Sequence, residues 1–262
     1  MRQPEEQTVD GRRGELDSDP AAARRGELAE ALARVRDRIA TACAAAGRDP
    51  TEVRLLAVTK TVPALDVALL ADLGLLDVAE ARASEAAAKV AEVAALRLAV
   101  EVRWHMVGRV QRNKARSVAQ WAVQVQSVDS PRLVQALDRA ARAASEAGHR
   151  HTALGVLVQI SLDGDPERGG CPLPQLQALA DRVAAAPALR LDGMMALAPL
   201  GLHPGTAFAA LSQAAARLRR AHPGAVEISA GMSGDFEQAI AHGSTCVRVG
   251  TALLGDRPLT SG

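Results

Sequence analysis

A lysine ends an apolar run early in the chain, and its position suggests chemistry rather than charge alone. The stretch VRLLAVTKTVP, residues 53–63, places Lys60 between two threonines. Of 31 basic residues only three are lysines, Lys60, Lys89 and Lys114. An amine desolvated by apolar surroundings is available as a neutral nucleophile toward an aldehyde. Lys60 is therefore a candidate for Schiff-base formation, against the alternative that its head group simply extends into solvent.

A second group of candidates lies near the end of the chain. Arg248 stands inside the apolar stretch TCVRVG, where a guanidinium without an acceptor or an anionic ligand would be costly. Gly250 lets a ligand approach the backbone, and Thr251 offers a hydroxyl and an N–H at the start of a short helix. In SAGMSGDFEQAI we predict Ser233 as a helix N-cap between glycines. These residues suit a phosphate, although ordinary caps and turns use the same types.

The elements that position these residues alternate along the chain. We predict strands at 53–59, 75–79, 101–108, 121–127, 152–161, 189–197, 225–229 and 245–250, and helices from Glu27 to about Gly47 and at 64–74, 130–148 and 206–222. This alternation indicates α/β architecture with parallel strands, and eight repeats favour a closed (β/α)8 TIM barrel over an open sheet. Functional residues of such barrels lie where strands end, with phosphate bound after strands seven and eight. An aldehyde-reactive amine beside a phosphate seat predicts a site for pyridoxal 5′-phosphate (PLP).

Composition excludes several other classes of protein. The net charge is +1 and only 2% of the 262 residues are aromatic, which disfavours a nucleic-acid surface. Cys43, Cys171 and Cys246 lie far apart, so neither disulfides nor a metal site is predicted. We find no apolar signal segment and no membrane-length apolar run, and we expect a soluble, cytoplasmic monomer. Residues 1–26 are predicted to be a disordered extension, and residues 27–262 the barrel domain.

Six segments in order resemble one family: LLAVTKTVP, WHMVGRVQRNKA, VQSVDSPRLVQAL, VLVQISLDGDPERGG, LDGMMALAPLG and GMSGDFEQAIAHGSTCVRVGTALLG. They are similar to the pyridoxal phosphate homeostasis proteins, the YggS-like family, whose barrel resembles the N-terminal domain of alanine racemase. The resemblance spans about residues 27–257. It implies that Lys60 forms the Schiff base with PLP, that Ser233, Gly250 and Thr251 hold the phosphate, and that Arg248 faces the pyridine nitrogen. The segment containing His105 would lie on the cofactor rim, which makes His105 a sixth candidate cofactor-binding residue, although a histidine of the core or behind the site is at least as strong an alternative.

One departure from the family pattern follows the second strand. Where the family has Gly-Glu-Asn, this chain has Ala79, Glu80 and Ala81, so the asparagine near the phenolic oxygen of PLP is absent. The departure implies either altered stability of the imine or altered orientation of the cofactor, unless Arg82 or a water molecule fills the place of the asparagine.

Three functions are compatible with these residues. The resemblance implies a non-catalytic carrier for intracellular PLP homeostasis that passes PLP to apo forms of PLP-dependent enzymes. The alternatives are a PLP-dependent amino-acid racemase or decarboxylase, and a Schiff-base aldolase without a cofactor. Racemisation needs a base on each face of the α-carbon, and in the related racemases a tyrosine from a second domain is one of them. This chain contains no tyrosine. An arginine at the pyridine nitrogen also makes PLP a weaker electron sink.

Overall fold

Eight parallel strands close into a ring at the centre of the structure. The computed structural model describes residues 19–97, 99–165, 168–199 and 201–255. Its strands are β1 (Arg54–Val58), β2 (Asp77–Glu80), β3 (Arg103–Met106), β4 (Gln124–Val128), β5 (Leu154–Ser161), β6 (Cys171–Pro172), β7 (Leu189–Ala196), β8 (Glu227–Ser229) and β9 (Cys246–Val249). Neighbouring strands pair in parallel from β1 to β5 and from β7 to β9, β5 also pairs with β7, and β9 pairs with β1. The predicted TIM barrel is confirmed, and β6 is a two-residue addition to β5.

Helices surround the ring and cover its outer face. They are α1 (Pro20–Ala45), α2 (Ala64–Asp72), α3 (Ala83–Leu96), α4 (Ala115–Trp121), α5 (Pro131–Glu146), α6 (Leu176–Ala184), α7 (Pro204–Ala221), α8 (Phe236–Ala241) and α9 (Thr251–Leu254). Each predicted strand overlaps an observed strand within a few residues. None of the described helices combines the length and apolar character needed to cross a membrane. No group of three or more His, Cys, Asp or Glu side chains in the described ranges could hold a metal ion.

The alternation of side chains along β4 shows how the barrel sorts its residues. All five residues of β4 are buried. Val125 belongs to the apolar cluster under the helices, whereas Gln124 and Gln126 on either side of it are hydrogen-bonded to each other. Successive residues of a strand point to opposite faces, so the glutamines turn away from the helices into the barrel interior. Along β4, the apolar Val125 thus faces the helices and the two glutamines face the barrel interior.

The first helix begins earlier than the sequence predicts. Pro20 stands at its first position, and the side chain of Asp19 accepts a hydrogen bond from the N–H of Ala21. Arg24 then pairs with the buried carboxylate of Asp66 at 2.8 Å and donates to the carbonyl of Leu254 at 3.1 Å. Residues 20–26, assigned above to a disordered extension, are thus helical because a cap and an ion pair to α2 hold them. Residues 1–18 and 256–262 lie outside the described residues.

Candidate functional site

A cavity of ≈ 1110 Å³ opens at the carboxyl end of the strands, and we call it the strand-end cavity. Five of the six predicted site residues line it: Lys60, Ser233, Arg248, Gly250 and Thr251. They come from opposite ends of the sequence and meet because β9 pairs with β1, with Leu56 in register with Arg248. The closure of the barrel brings the amine and the guanidinium into one cavity.

Lys60 lies in the turn beyond β1, two residues after the strand ends at Val58. Its side chain is exposed and makes no hydrogen bond or ion pair with any residue in the described part of the chain. The apolar run predicts a desolvated amine, whereas the amine in this structure is exposed to solvent. The reason is geometric, because the apolar run stops at the strand end and the turn carries Lys60 into the open cavity. The amine is available to a ligand.

A second lysine, Lys89, also lines the cavity, although its sequence context does not predict this position. Lys89 on α3 donates to the carbonyl of Thr59 at 2.8 Å and to Oε1 of Glu80 at 2.8 Å. The hydroxyl of Thr59 donates to the same carboxylate oxygen at 2.8 Å. Lys89 therefore ties the residue before Lys60 to β2 and α3. The signal in the sequence was the rarity of lysine, which had singled out Lys89 without giving it a role.

Glu80 is a buried carboxylate with one oxygen left over. The residue is fully buried, and its Oε2 has no hydrogen-bond partner among the described residues. A buried carboxylate oxygen without a donor is costly. The ammonium of Lys89 compensates the charge at Oε1 and makes the burial tolerable.

Arg248 is buried inside the barrel and forms no ion pair with a carboxylate of the described residues. It is 4% exposed, donates from Nη1 to the hydroxyl of Ser229 at 2.7 Å, and donates from Nη2 to the carbonyl of Ala196 at 2.9 Å. Burial lowers the pKa of the guanidinium from its ordinary value. A guanidinium has five N–H donors, so these two bonds leave donors available to a ligand in the cavity. An acceptor or an anion placed there would compensate a charge that these two bonds leave uncompensated.

The loops after β8 and β9 supply small polar residues to the same cavity. Gly250 is the N-cap of α9, and the hydroxyl of Ser233 accepts a long hydrogen bond, 3.4 Å, from the N–H of Ala252. The hydroxyl of Thr251 makes no side-chain hydrogen bond within the described ranges. Two hydroxyls therefore border the start of α9, an arrangement that suits an oxyanion.

Ser233 is not the helix cap that the sequence predicts. Helix α8 begins three residues later, with Asp235 at the N-cap position. The carboxylate of Asp235 accepts from the N–H of Met232 at 2.6 Å and closes a turn over residues 232–235. Because this turn precedes α8, the side chain of Ser233 does not cap that helix. It lines the cavity instead.

His105 does not line the strand-end cavity. The ring is 1% exposed in the barrel interior, with Nε2 3.0 Å from Oδ1 of Asp77 and Nδ1 3.2 Å from Oε1 of Gln124. Burial would raise the pKa of Asp77, but hydrogen bonds from His105 and Arg103 lower it well below its usual range. His105 therefore belongs to a buried polar column, and the alternative of a core histidine describes its position.

That column reaches the cavity only indirectly. Gln124 accepts from Gln126 at 2.9 Å, and Gln126 accepts from the hydroxyl of Ser229 at 2.7 Å. Ser229 in turn accepts from Arg248. This chain of hydrogen bonds holds the guanidinium of Arg248 from the side of the barrel interior. Residues of the interior, rather than residues of the cavity, therefore fix its position.

The position of the absent asparagine is also at the cavity. Ala81 and Arg82 both line it. The guanidinium of Arg82 is bonded to Glu85 at 2.9 Å, and its side chain is 74% exposed. Arg82 is thus held by Glu85 in this structure and does not take the place of an amide.

A family model, curated proteins and solved structures all match most of this chain. The family model for the alanine racemase N-terminal domain matches residues 31–258. A pyridoxal phosphate homeostasis protein of Mycobacterium leprae (strain TN) is 51% identical over 255 residues, covering 94% of this chain and 98% of that protein. The protein of the same name from Escherichia coli (strain K12) is 36% identical over 234 residues, covering 88% and 97%. The solved structure of PipY of Synechococcus elongatus PCC7942 with PLP bound has a TM-score of 0.74 and 33% identity, covering 87% of this chain and 100% of that one.

Proposed function

The chain belongs to the alanine racemase N-terminal domain family and, within it, to the pyridoxal phosphate homeostasis proteins. We propose that it binds PLP in the strand-end cavity and serves intracellular PLP homeostasis. Lys60 is the amine that forms a Schiff base with the aldehyde. Ser233, Gly250 and Thr251 hold the phosphate, and Arg248 donates to the pyridine nitrogen. PLP supplies a reactive aldehyde whose free concentration this binding would keep low.

One observation carries the proposal: an amine and a guanidinium, neither of them in an ion pair with a described residue, share one cavity with a hydroxyl-lined loop. PLP presents three matching groups, an aldehyde, a ring nitrogen that accepts a hydrogen bond, and a phosphate. A cofactor-free aldolase would use the lysine but would leave the guanidinium of Arg248 without its acceptor. The donor set therefore fits PLP better than a plain carbonyl substrate.

The experiment that tests the proposal is a spectral titration of the purified protein with PLP. We expect an absorbance band of a Schiff base that saturates at one PLP per chain. A protein that shows no band after PLP is added, and that does not retain PLP on desalting, would contradict the proposal. A site specific for PLP should also discriminate against pyridoxal, which lacks the phosphate.

We further propose that the protein is a carrier rather than a racemase. Lys60 offers a base on one face of a bound amino acid, and a tyrosine for the other face does not exist in this chain. We expect incubation of the PLP-loaded protein with L-alanine in D₂O to give at most slow exchange of the α-proton and no D-alanine. D-alanine formed at many turnovers per second would make this protein an enzyme.

Lys89 should act as a positioning residue for Lys60. In Lys89→Met we expect the Schiff-base band to persist, with PLP affinity lowered by about tenfold, because the carbonyl of Thr59 loses its donor and the carboxylate of Glu80 loses its counter-charge. Lys89→Arg, which keeps the charge, should recover part of the affinity. The double variant Lys89→Met with Glu80→Gln also removes the carboxylate charge that Lys89→Met alone would leave buried without a partner. A loss of affinity that persists in the double variant therefore comes from the lost positioning of Lys60. Wild-type affinity in Lys89→Met would contradict the role.

The proposal has three further parts: the protein transfers PLP to apoenzymes, it is located in the cytoplasm, and it is a monomer. The open cavity supports transfer, since Lys60 is exposed and reachable from solvent. Mixing the PLP-loaded protein with an apo PLP-dependent enzyme, and comparing the rate of activation with that given by free PLP, would test it. Sedimentation at several concentrations would test the monomer.

A further inference from the structure

A second concave surface lies beside the strand-end cavity and takes no part in the function proposed above. It has a volume of ≈ 1130 Å³ and lies between residues 109–113, after β3, and the first turns of α5. Val107 lines the strand-end cavity, and two residues later Arg109 lines this second surface. We call it the arginine groove, after its four arginines Arg109, Arg112, Arg132 and Arg139.

The arginines of the groove form no ion pairs with other described residues. Its four guanidiniums are exposed, and none makes an ion pair or a side-chain hydrogen bond with another residue in the described ranges. Some arginines elsewhere on the surface are paired, for example Arg97 with Asp72 at 2.6 Å. What distinguishes the groove is that four arginines without ion pairs in the described ranges line one concave surface. One carboxylate, that of Asp129, lines the groove. Four guanidiniums around one carboxylate create a local positive potential that attracts anions.

A helix end adds a second source of positive potential. Helix α5 has 16 residues, and its N-cap Ser130 makes no capping hydrogen bond with its side chain. Pro131 fills the first helical position, so the hydroxyl of Ser130 and the N–H of Arg132 remain at the mouth of the helix. Ser130 and Arg132 both line the groove. The helix dipole and the guanidiniums therefore favour negative charge at the same place.

The shape and composition of the groove select among anions. Its lining contains no aromatic residue, so a nucleobase would have no ring on which to stack. An extended nucleic acid needs a broad basic surface, whereas the whole chain carries a net charge of only +1. A single phosphate would occupy a small part of the volume and engage few of the guanidiniums. We propose that the arginine groove binds a small anion that carries two or more phosphates, recognised through those phosphates.

Calorimetric titration of the PLP-loaded protein with inorganic tripolyphosphate tests this proposal. PLP fills the phosphate seat of the strand-end cavity, so a further site must lie elsewhere. We expect tripolyphosphate to bind at least about tenfold more tightly than orthophosphate at low ionic strength, because it engages several guanidiniums at once. Titrations at two temperatures prevent a near-zero enthalpy from being taken for absence of binding.

Variants locate the binding within the groove. The pair Arg112→Gln with Arg139→Gln should weaken tripolyphosphate binding by at least about tenfold, since two charge-assisted contacts are lost. Arg36→Gln is the matched control, because Arg36 is an exposed arginine of α1 that also lacks a partner in the described ranges. It should bind as the wild type does. The variants change residues outside the strand-end cavity, so their result is independent of the proposed function.

Two results would overturn the proposal. Equal affinity in the groove variants and in Arg36→Gln would mean that the binding, if any, is unspecific or elsewhere. An RNA oligonucleotide or a polyglutamate chain that bound more tightly than tripolyphosphate, with loss in the groove variants, would assign the groove to a macromolecule instead.

Discussion

Lys60→Ala is expected to abolish the Schiff-base band while leaving the fold unchanged. The side chain is exposed and makes no hydrogen bond or ion pair with the described residues, so its removal should change the free energy of unfolding by no more than about 0.5 kcal/mol. PLP affinity should fall by at least about a hundredfold, because a covalent bond contributes more than one charge-assisted hydrogen bond of about 1.5–3 kcal/mol. Absorbance during titration measures the band, and retention on desalting measures the affinity.

Lys114→Ala is the matched control for this prediction. Lys114 lies before α4, outside the strand-end cavity, and is the third of the three lysines. It should keep the band and the affinity of the wild type. An undiminished band in Lys60→Ala would assign the Schiff base to Lys89, the other lysine of the cavity.

Arg248→Met should have the second-largest effect on PLP binding. The change keeps the aliphatic volume but removes the donors that face the cavity, and we expect affinity to fall by about ten- to a hundredfold. The absorbance maximum should also shift, because the charge beside the ring is lost. Melting temperature should change less than affinity, since removal of an uncompensated buried charge offsets the hydrogen bonds lost at Ser229 and Ala196.

Two further variants sharpen the test at Arg248. Arg248→Lys keeps a positive charge without the planar pair of donors and should recover only part of the affinity. Arg248→Ala leaves a cavity and should lower stability as well as affinity. If Arg248→Met bound PLP as tightly as the wild type, with an unchanged spectrum, the assigned contact to the pyridine nitrogen would be refuted.

The barrel was predictable because its signals are local and repeated. Each strand is a short apolar run, and the stretch TCVRVG already marked Arg248 as a buried guanidinium in need of a partner. The placement of Lys60 and Arg248 in one cavity followed from the rule that functional residues of a barrel collect at the strand ends. The rule requires only the order of the strands along the chain, because the first and last strands of a closed barrel are neighbours.

Features that depend on distant contacts were not predictable. Nothing near Pro20 in the sequence shows that Arg24 reaches the carboxylate of Asp66, so the start of α1 was placed too late. The role of Lys89 depends on the carbonyl of Thr59, 30 residues away in the chain. His105 was expected near the cofactor, and only the packing of β3 beside β2 shows that its ring contacts Asp77 inside the barrel. Such pairings are set by three-dimensional packing rather than by local pattern.

The most direct test of the central assignment is reductive trapping. Borohydride reduces a Schiff base to a stable amine, so the PLP-loaded protein can be reduced, digested and searched by mass spectrometry for a phosphopyridoxyl lysine. With three lysines in the chain, each position is distinguishable. We predict that the label is on Lys60 alone, at close to one per chain. A label on Lys89 or Lys114, or no label after PLP has been added, would contradict the account.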